Sequence, residues 1–226
     1  MPKKKTARLP DVILPMPNSD KGDHEEWHKG RNALEIPAPY RLILAGKPNC
    51  GKTCVIKNII IRATPEFDKI VLLHCDGGGE YEDIGNVEVL DEIPDPEDWN
   101  PDGEKLLCII DDMDVTTLSK AQHSNLDRLF GYVSTHKFVS VILATQNFTN
   151  IPVCARRCAN MFVVWKSPDK DLIGQIGRKT GLPTRDIQDI MHTHLKEPTD
   201  SLWIDLTKGT PYPLRINGYK LLKHRE

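Results

Sequence analysis

A glycine-rich run in the first quarter of the chain has the residue types and the spacing of a phosphate-binding loop. Residues 46–53 read Gly-Lys-Pro-Asn-Cys-Gly-Lys-Thr and match G-x-x-x-x-G-K-[ST] at every fixed position. An apolar run at residues 42–45 precedes the loop, and a helix-compatible run at residues 54–62 follows it. Because this strand–loop–helix order is the setting that the motif requires, the sequence predicts a nucleotide-binding site here.

The loop residues have separate expected roles. Gly46 and Gly51 would allow backbone angles that a side chain forbids, so that successive amide groups and the helix N-terminus face the phosphates. Lys52 would place its cation on the β- and γ-phosphates, and Thr53 would offer a hydroxyl to Mg²⁺. Cys50, beside a helix N-terminus, is expected to be a somewhat reactive thiol. The predicted nucleotide-binding residues are Gly46, Lys47, Pro48, Asn49, Cys50, Gly51, Lys52, Thr53 and Cys54.

A pair of acids lies at the end of an apolar run downstream of the loop. Residues 106–110 are apolar, and Asp111 and Asp112 follow them directly. A buried strand would carry Asp111 to the sheet edge beside the loop, where it would hold Mg²⁺ directly or through water. Asp112 could then polarise the attacking water as a general base, which is typical of an NTPase that hydrolyses. The alternative is that Asp112 only caps the following turn.

Two further polar signals lie closer to the C-terminus. Gln146, at the end of a predicted strand, could reach the γ-phosphate or the lytic water as a sensor, with Thr145 and Asn147 as lesser candidates. Arg156 and Arg157 could supply a trans-acting finger, because a guanidinium stabilises charge that builds on the γ-phosphoryl group. The sequence does not separate these two arginines, and a structural salt bridge or a DNA contact are the alternatives.

Hydrophobic patterning predicts the elements that must position these residues. Apolar runs alternate with helix-compatible segments, which indicates an α/β fold with a mostly parallel sheet covered by helices on both faces. Ligands of such sheets bind beyond the carboxyl ends of the strands. The predicted strands are residues 40–45, 69–75, 87–90, 106–110, 138–144 and 161–165, and residues 202–206 and 212–216 form a C-terminal β-hairpin. The predicted helices are residues 54–62, 119–136, 152–159, 169–180 and 184–195, the last of them capped by Thr184.

Composition bounds the class of protein. The 226 residues suit one P-loop domain at residues 37–226 behind an extended arm at residues 1–36. The net charge of −2 does not predict a polyanion partner for the surface as a whole, so nucleic-acid contact would need a local patch. No apolar run is long enough to span a bilayer, so we expect no stable membrane insertion. The six cysteines show no disulfide framework, which favours a reducing compartment.

The order of these motifs resembles the FtsK–HerA superfamily of pumping ATPases, and within it the poxvirus-type (A32-like) genome-packaging ATPases. Residues 42–53, 106–112 and 139–146 carry the resemblance. It implies a RecA-like sheet with a strand inserted between the loop strand and the acid strand. It also implies ATP and Mg²⁺ as ligands, with Lys52, Asp112, Gln146 and one of Arg156 and Arg157 as catalytic residues and Thr53 and Asp111 as the magnesium ligands.

The activity implied by the resemblance is ATP-driven translocation of double-stranded DNA into a capsid by a homo-oligomeric ring, a pentamer or a hexamer. A capsid or portal vertex would be the partner, and the host cytoplasm, a virus factory or the virion the location. A helicase or DNA-transfer ATPase of the same superfamily is one alternative, and a nucleotide-gated assembly scaffold is another. A GTPase is disfavoured, because the chain has no N-K-x-D motif.

Overall fold

A single nine-stranded sheet organises the chain. The structure, a computed structural model, describes residue 34 and residues 36–74, 76–100, 103–207, 210 and 213–222. The strands are β1 (Arg41–Ala45), β2 (Lys69–Leu73), β3 (Val87–Leu90), β4 (Leu106–Ile110), β5 (Val139–Thr145), β6 (Met161–Trp165), β7 (Ser201–Asp205), β8 (Leu214–Ile216) and β9 (Lys220–Leu221). The helices are α1 (Lys52–Ile61), α2 (Lys120–Arg128), α3 (Ser134–His136), α4 (Val153–Cys158), α5 (Lys170–Thr180) and α6 (Thr184–His194). A π-helical turn, Leu129–Val133, joins α2 to α3.

The strand order explains how distant motifs meet. The sheet runs β3-β2-β4-β5-β1-β6-β7-β8-β9. The first six of these strands are parallel, and the last three are antiparallel. Strand β5 therefore lies between β1, which leads into the phosphate loop, and β4, which ends at the acid pair. Ala45 is in register with Thr145, and Ile110 is in register with Leu143, so the three carboxyl ends lie side by side.

Both faces of the sheet are covered. On one face, α1 packs its buried Ile56 and Ile59 against β1 and β4. On the other face, α2, α4, α5 and α6 contribute to a larger core that includes Leu126, Ile173 and Ile187. Central strands such as β4 are buried along their full length, as expected for parallel strands sandwiched between helices. The predicted α/β sheet with helices on both faces is confirmed, as is the C-terminal antiparallel hairpin formed by β7 and β8.

The structure moves several predicted boundaries. Helix α1 begins at Lys52 rather than at residue 54, so Lys52 and Thr53 belong to its first turn. Pro183 rather than Thr184 precedes α6 at the cap, and no side chain caps this helix. The short strand β9, after β8, was not predicted.

Some predictions concern residues outside the part of the chain that the structure describes. These are most of the arm at residues 1–36, Cys75 and parts of the hairpin connection. Ile36, which the prediction assigned to the arm, is described and lies buried in the core. The position of the arm–domain boundary stays a prediction. None of the described helices has the length and apolar character needed to cross a membrane.

Candidate nucleotide-binding and hydrolysis site

The glycine-rich loop connects the end of β1 to the start of α1. Gly51 caps the helix with φ of 102°, and Asn49 has φ of 60°, so both are left-handed. Gly51 adopts this conformation without strain, because it has no Cβ atom. Gly51, at the cap position, has no side chain that could accept a hydrogen bond from the first turn of α1. The amide groups at this helix N-terminus can therefore bind an anion, as the motif predicts.

Gly46 is required for a reason other than the one predicted. It is not among the glycines with positive φ, so its backbone angles do not demand glycine. A Cβ atom at this position would lie 2.5 Å from the Cys50 sulfur and 2.6 Å from a ring carbon of Trp165. The loop thus needs glycine here for space, because its two arms fold closely upon each other and upon β6.

Lys52 holds its ammonium group over the loop. Its Nζ atom donates hydrogen bonds to the carbonyl oxygens of Gly46, at 3.0 Å, and Lys47, at 3.1 Å. The side chain is only 8% exposed, although it carries a charge. A buried ammonium group needs polar partners, and the loop carbonyls supply them. The result is a cation fixed where the loop curls, which is the position that binding of a polyphosphate chain requires.

Asp111 meets the loop through a tyrosine that the sequence analysis missed. The Tyr81 hydroxyl donates a hydrogen bond of 2.6 Å to Asp111 Oδ2, and the Thr53 side chain lies near enough to act on the pKa of Tyr81. The charge of Lys52 lies close enough to lower the pKa of Asp111. Thr53 and Asp111, the two predicted magnesium ligands, thus both lie near the Tyr81 side chain. An alcohol and a carboxylate are oxygen donors that suit Mg²⁺, so these residues fit the ion.

Burial governs the protonation of Asp111. Its carboxyl group is 3% exposed, and desolvation raises its pKa above the ordinary aspartate value. The charge of Asp112 acts in the same direction, whereas the hydrogen bond from Tyr81 and the charges of His74 and Lys52 lower the pKa. The net effect is upward. A cation bound beside Asp111 would favour the ionised form that burial disfavours.

Asp111→Asn should therefore stabilise the free protein at neutral pH. The native pKa of Asp111 is raised above the unfolded value of about 3.9, so the native state holds the proton more tightly and loses stability as the pH rises through this window. We expect the gain in the free energy of unfolding, measured with urea, to be small near the unfolded pKa and to grow toward neutrality. A gain that shrinks with rising pH would mean that the Tyr81 hydrogen bond outweighs burial.

Asp112 and Gln146 line one cavity beyond the carboxyl ends of β4 and β5. The cavity has a volume of about 310 Å³. Both side chains are exposed, and neither makes a hydrogen bond within the described residues. Gln146 also lines a second, smaller crevice together with Gly46, Lys47 and Lys166. Gln146 thus lies between the loop and Asp112, where one amide could contact both a terminal phosphate and its attacking water.

The two lesser sensor candidates are occupied locally. The Thr145 hydroxyl bonds with the backbone amide and carbonyl of Asn147, both at 3.1 Å. The Asn147 side chain accepts hydrogen bonds from the amide and hydroxyl of Thr149 and caps a short 3₁₀ turn. Of the three polar residues, Gln146 alone keeps its side chain available. The sensor role of Gln146 stays a prediction that this geometry favours.

The structure separates the two arginines that the sequence did not. Arg156 donates from Nη1 to Gln175 Oε1 at 2.9 Å, and its guanidinium lies 5.9 Å from the centre of the Phe148 ring. Arg156 is therefore held within its own chain. Arg157 is exposed, and its guanidinium has no hydrogen bond or ion pair to any described residue. Only Arg157 is free to reach a neighbouring subunit, and the finger role itself stays a prediction.

Sequence reasoning missed two residues beside Asp111. Tyr81 lies far from Asp111 along the chain and fits no short motif. His74 is buried next to the acid, and its Nδ1 accepts a hydrogen bond from the amide of Asp76 at 3.0 Å. The glycine run before Tyr81 indicated a turn in the sequence, but it gave no sign of the contact with Asp111.

No cluster of three or more His, Cys, Asp or Glu side chains occurs among the described residues in an arrangement that would hold a metal ion. A phosphate-loop magnesium site does not need such a cluster, because the ion keeps several waters and takes the rest of its ligands from substrate phosphates.

The fold is similar to those of known packaging NTPases. The B204 genome-packaging NTPase from Sulfolobus turreted icosahedral virus 2, solved with ATP-gammaS, matches with a TM-score of 0.56 at 15% identity, over 83% of this chain and 100% of that one. The B204 DNA-packaging ATPase from Sulfolobus turreted icosahedral virus matches with a TM-score of 0.58 at 14% identity, over 83% and 100%. The type VII secretion ATPase EccC of Thermomonospora curvata gives 0.53 at 10% identity, over 87% of this chain and 28% of that one.

No family model and no curated protein matches the sequence. At identities this low, the likeness shows the fold alone, which is that of a RecA-like P-loop ATPase with β5 inserted between β1 and β4. The resemblance noted from the motifs is thereby confirmed at the level of the fold. The narrower poxvirus-type assignment stays a prediction.

Proposed function

We propose that the chain is a Mg²⁺-dependent ATPase of the FtsK–HerA superfamily that drives double-stranded DNA into a viral capsid. The observation that carries this proposal is the fold match to B204, because the chain covers the whole of that compact packaging NTPase. The phosphate loop and the acid pair supply the chemistry. A capsid or portal vertex would be its partner, in the host cytoplasm, a virus factory or the virion.

Each site residue has a separate role in ATP hydrolysis. The loop amides and Lys52 bind and orient the triphosphate, with the ammonium group near the oxygens that gain charge. A magnesium ion held by Thr53 and Asp111 would neutralise charge on the β- and γ-phosphates. Asp112 accepts a proton from the attacking water, and Gln146 orients that water. These roles match the geometry, since Gln146 lines both the crevice at the loop and the cavity of Asp112.

Assembly into a ring would supply the remaining catalytic group, an arginine from a neighbouring subunit. A pentamer or hexamer would bring Arg157 of one subunit to the triphosphate of the next, where its guanidinium would stabilise the leaving charge. Arg157 is exposed and its guanidinium pairs with none of the described residues, which supports this assignment over Arg156, which binds Gln175 in its own chain.

Mixing two inactive variants should restore activity if Arg157 acts in trans. Arg157→Ala subunits keep an intact phosphate loop, and Lys52→Ala subunits keep the arginine, so a mixed ring contains some complete sites. We expect ATPase activity to pass through a maximum as the ratio of the two variants changes. Arg156→Ala in place of Arg157→Ala should instead lower the thermal midpoint, because it removes the contact with Gln175. Absence of rescue at every ratio would assign Arg157 to another role.

The function is tested by ATPase rates with and without duplex DNA, together with the native mass for ring stoichiometry. A motor should hydrolyse faster on duplex DNA, and the stimulation should fall steeply with salt, because contact with the phosphate backbone releases counterions. A slow ATPase rate that duplex DNA does not change would favour a nucleotide-gated scaffold. Strand separation on a forked duplex would favour a helicase. A protein that binds no nucleotide would refute all three.

A further inference from the structure

A groove of about 550 Å³ runs along the exposed side of α1, on the face of the sheet where α1 packs. One wall is the helix, and the other is formed by β7 and the turn between β8 and β9. Its volume is within the usual range of small-molecule sites. The described residues that line it are Leu34, Cys54, Val55, Asn58, Arg62, Thr199, Ser201, Trp203, Asn217 and Tyr219.

The groove lies beside the helical end of the phosphate loop. Cys54 lines it, and Cys54 follows Thr53 in the first turn of α1. A triphosphate whose far end lies beside Asp111, Asp112 and Gln146 must leave the loop in the opposite direction. Strands β4 and β5 lie on one side of β1, and β6 and β7 lie on the other, so the groove wall formed by β7 is on the side away from the acid pair.

The helix wall of the groove is ordered by side-chain contacts one turn apart. Asn58 Nδ2 donates to the carbonyl of Cys54 at 2.9 Å, and Arg62 Nε donates to Asn58 Oδ1 at 3.3 Å. None of the described lining residues carries a carboxylate. The groove therefore does not repel an anionic ligand, and its amide, hydroxyl and aromatic side chains can contact the ribose and base of a nucleotide.

The opposite wall presents an aromatic ring on a turn that is held in place. Tyr219 is 79% exposed, whereas its neighbours in the turn are anchored. The Asn217 side chain accepts from the Ser201 amide and donates to Asp200, both at 2.8 Å. Gly218 packs against Trp203, and its carbonyl accepts from Arg215 at 3.0 Å. A large, exposed ring on so fixed a turn contributes no core packing and is available to a ligand.

We propose that this groove binds the nucleoside part of the nucleotide, and that the Tyr219 ring stacks on the base. The inference rests on the proposed ATPase function. It adds a residue that binds the base of ATP, at the end of the nucleotide remote from the γ-phosphate. Stacking on an aromatic ring tolerates any base, since every base has a π-face, and it contributes to affinity without touching the phosphates.

Binding of ATP and of inorganic tripolyphosphate separates this groove from the loop. Tyr219→Ala should raise the Kd for ATP about tenfold, the size expected for one base–aromatic stack, and leave the Kd for tripolyphosphate unchanged. Tyr219→Phe should keep most of the affinity for ATP, because the ring remains. Tyr132→Ala is the matched control, since Tyr132 is also an exposed tyrosine but lies in the π-helical turn, away from the groove.

Each other outcome overturns the inference in a distinct way. If the wild type binds both ligands and Tyr219→Ala binds ATP equally well, the groove assignment fails while the ATPase function stands. If Tyr219→Ala loses affinity for ATP and tripolyphosphate alike, the residue supports the fold rather than the base. If the wild type binds neither ligand, the proposed function fails and the inference fails with it.

Discussion

Lys52→Ala should abolish ATP hydrolysis, with a fall in kcat/KM of at least about 10²–10³-fold, the effect of removing one charge-stabilising donor. The structure gives the reason. The ammonium group is buried and is fixed over the loop by the carbonyls of Gly46 and Lys47. Its loss removes the charge that receives the β- and γ-phosphates. Steady-state phosphate release measures the effect.

Lys57→Ala is the matched control for Lys52→Ala. Lys57 is another lysine of α1, and its ammonium group pairs at 2.7 Å with Asp83, away from the loop. A partly exposed pair of this kind contributes little to stability, so the variant should fold and hydrolyse ATP as the wild type does. Normal turnover in Lys52→Ala would refute the assignment of the phosphate loop.

Asp112→Asn should keep nucleotide binding and lower the rate of hydrolysis by about 10²–10⁴-fold, the range of general-base catalysis. The substitution is conservative at this position. Asp112 has φ of 51°, which asparagine adopts as readily as aspartate, and its side chain makes no hydrogen bond that the change would break within the described residues. Binding of a non-hydrolysable ATP analogue and the single-turnover rate separate the two effects.

Asp114→Asn provides the comparison for Asp112→Asn. Asp114 lines the same cavity, but its carboxylate accepts hydrogen bonds from the amide and hydroxyl of Thr116, at 2.9 Å and 2.6 Å. It therefore holds its own turn and should matter little for turnover. If Asp112→Asn hydrolyses ATP normally, the base lies elsewhere, and a larger loss in Asp114→Asn would point to that residue.

Sequence patterns predicted the parts of this fold that depend on neighbouring residues. Buried parallel strands appear as apolar runs, and the phosphate loop has a fixed spacing, so both could be recognised directly. The resemblance also implied that one strand lies between the loop strand and the acid strand, and β5 occupies that place. The π-helical turn within the predicted helix at residues 119–136 could not be predicted, since nothing in its apolar periodicity distinguishes it from α-helix.

The parts that sequence reasoning missed depend on packing between distant segments. Tyr81 reaches Asp111 only because β2 lies beside β4 in the sheet. Cys50 illustrates a competition between two effects. Its position beside a helix N-terminus predicted a reactive thiol, but burial raises its pKa by more than the nearby Lys52 charge lowers it. The prediction of a reactive Cys50 was wrong because solvent access cannot be read from position in a motif.

The central position of β5 has a mechanical consequence. Gln146 follows the last residue of this strand, Phe148 is buried two residues later, and the Phe148 ring lies near Arg156 in α4, the helix that also carries Arg157. In the proposed ring, these twelve residues would connect the predicted sensor of one subunit to the arginine that it offers to the next. A rearrangement of Gln146 that displaced Phe148 would then also displace α4, so nucleotide at one site would influence the neighbouring site.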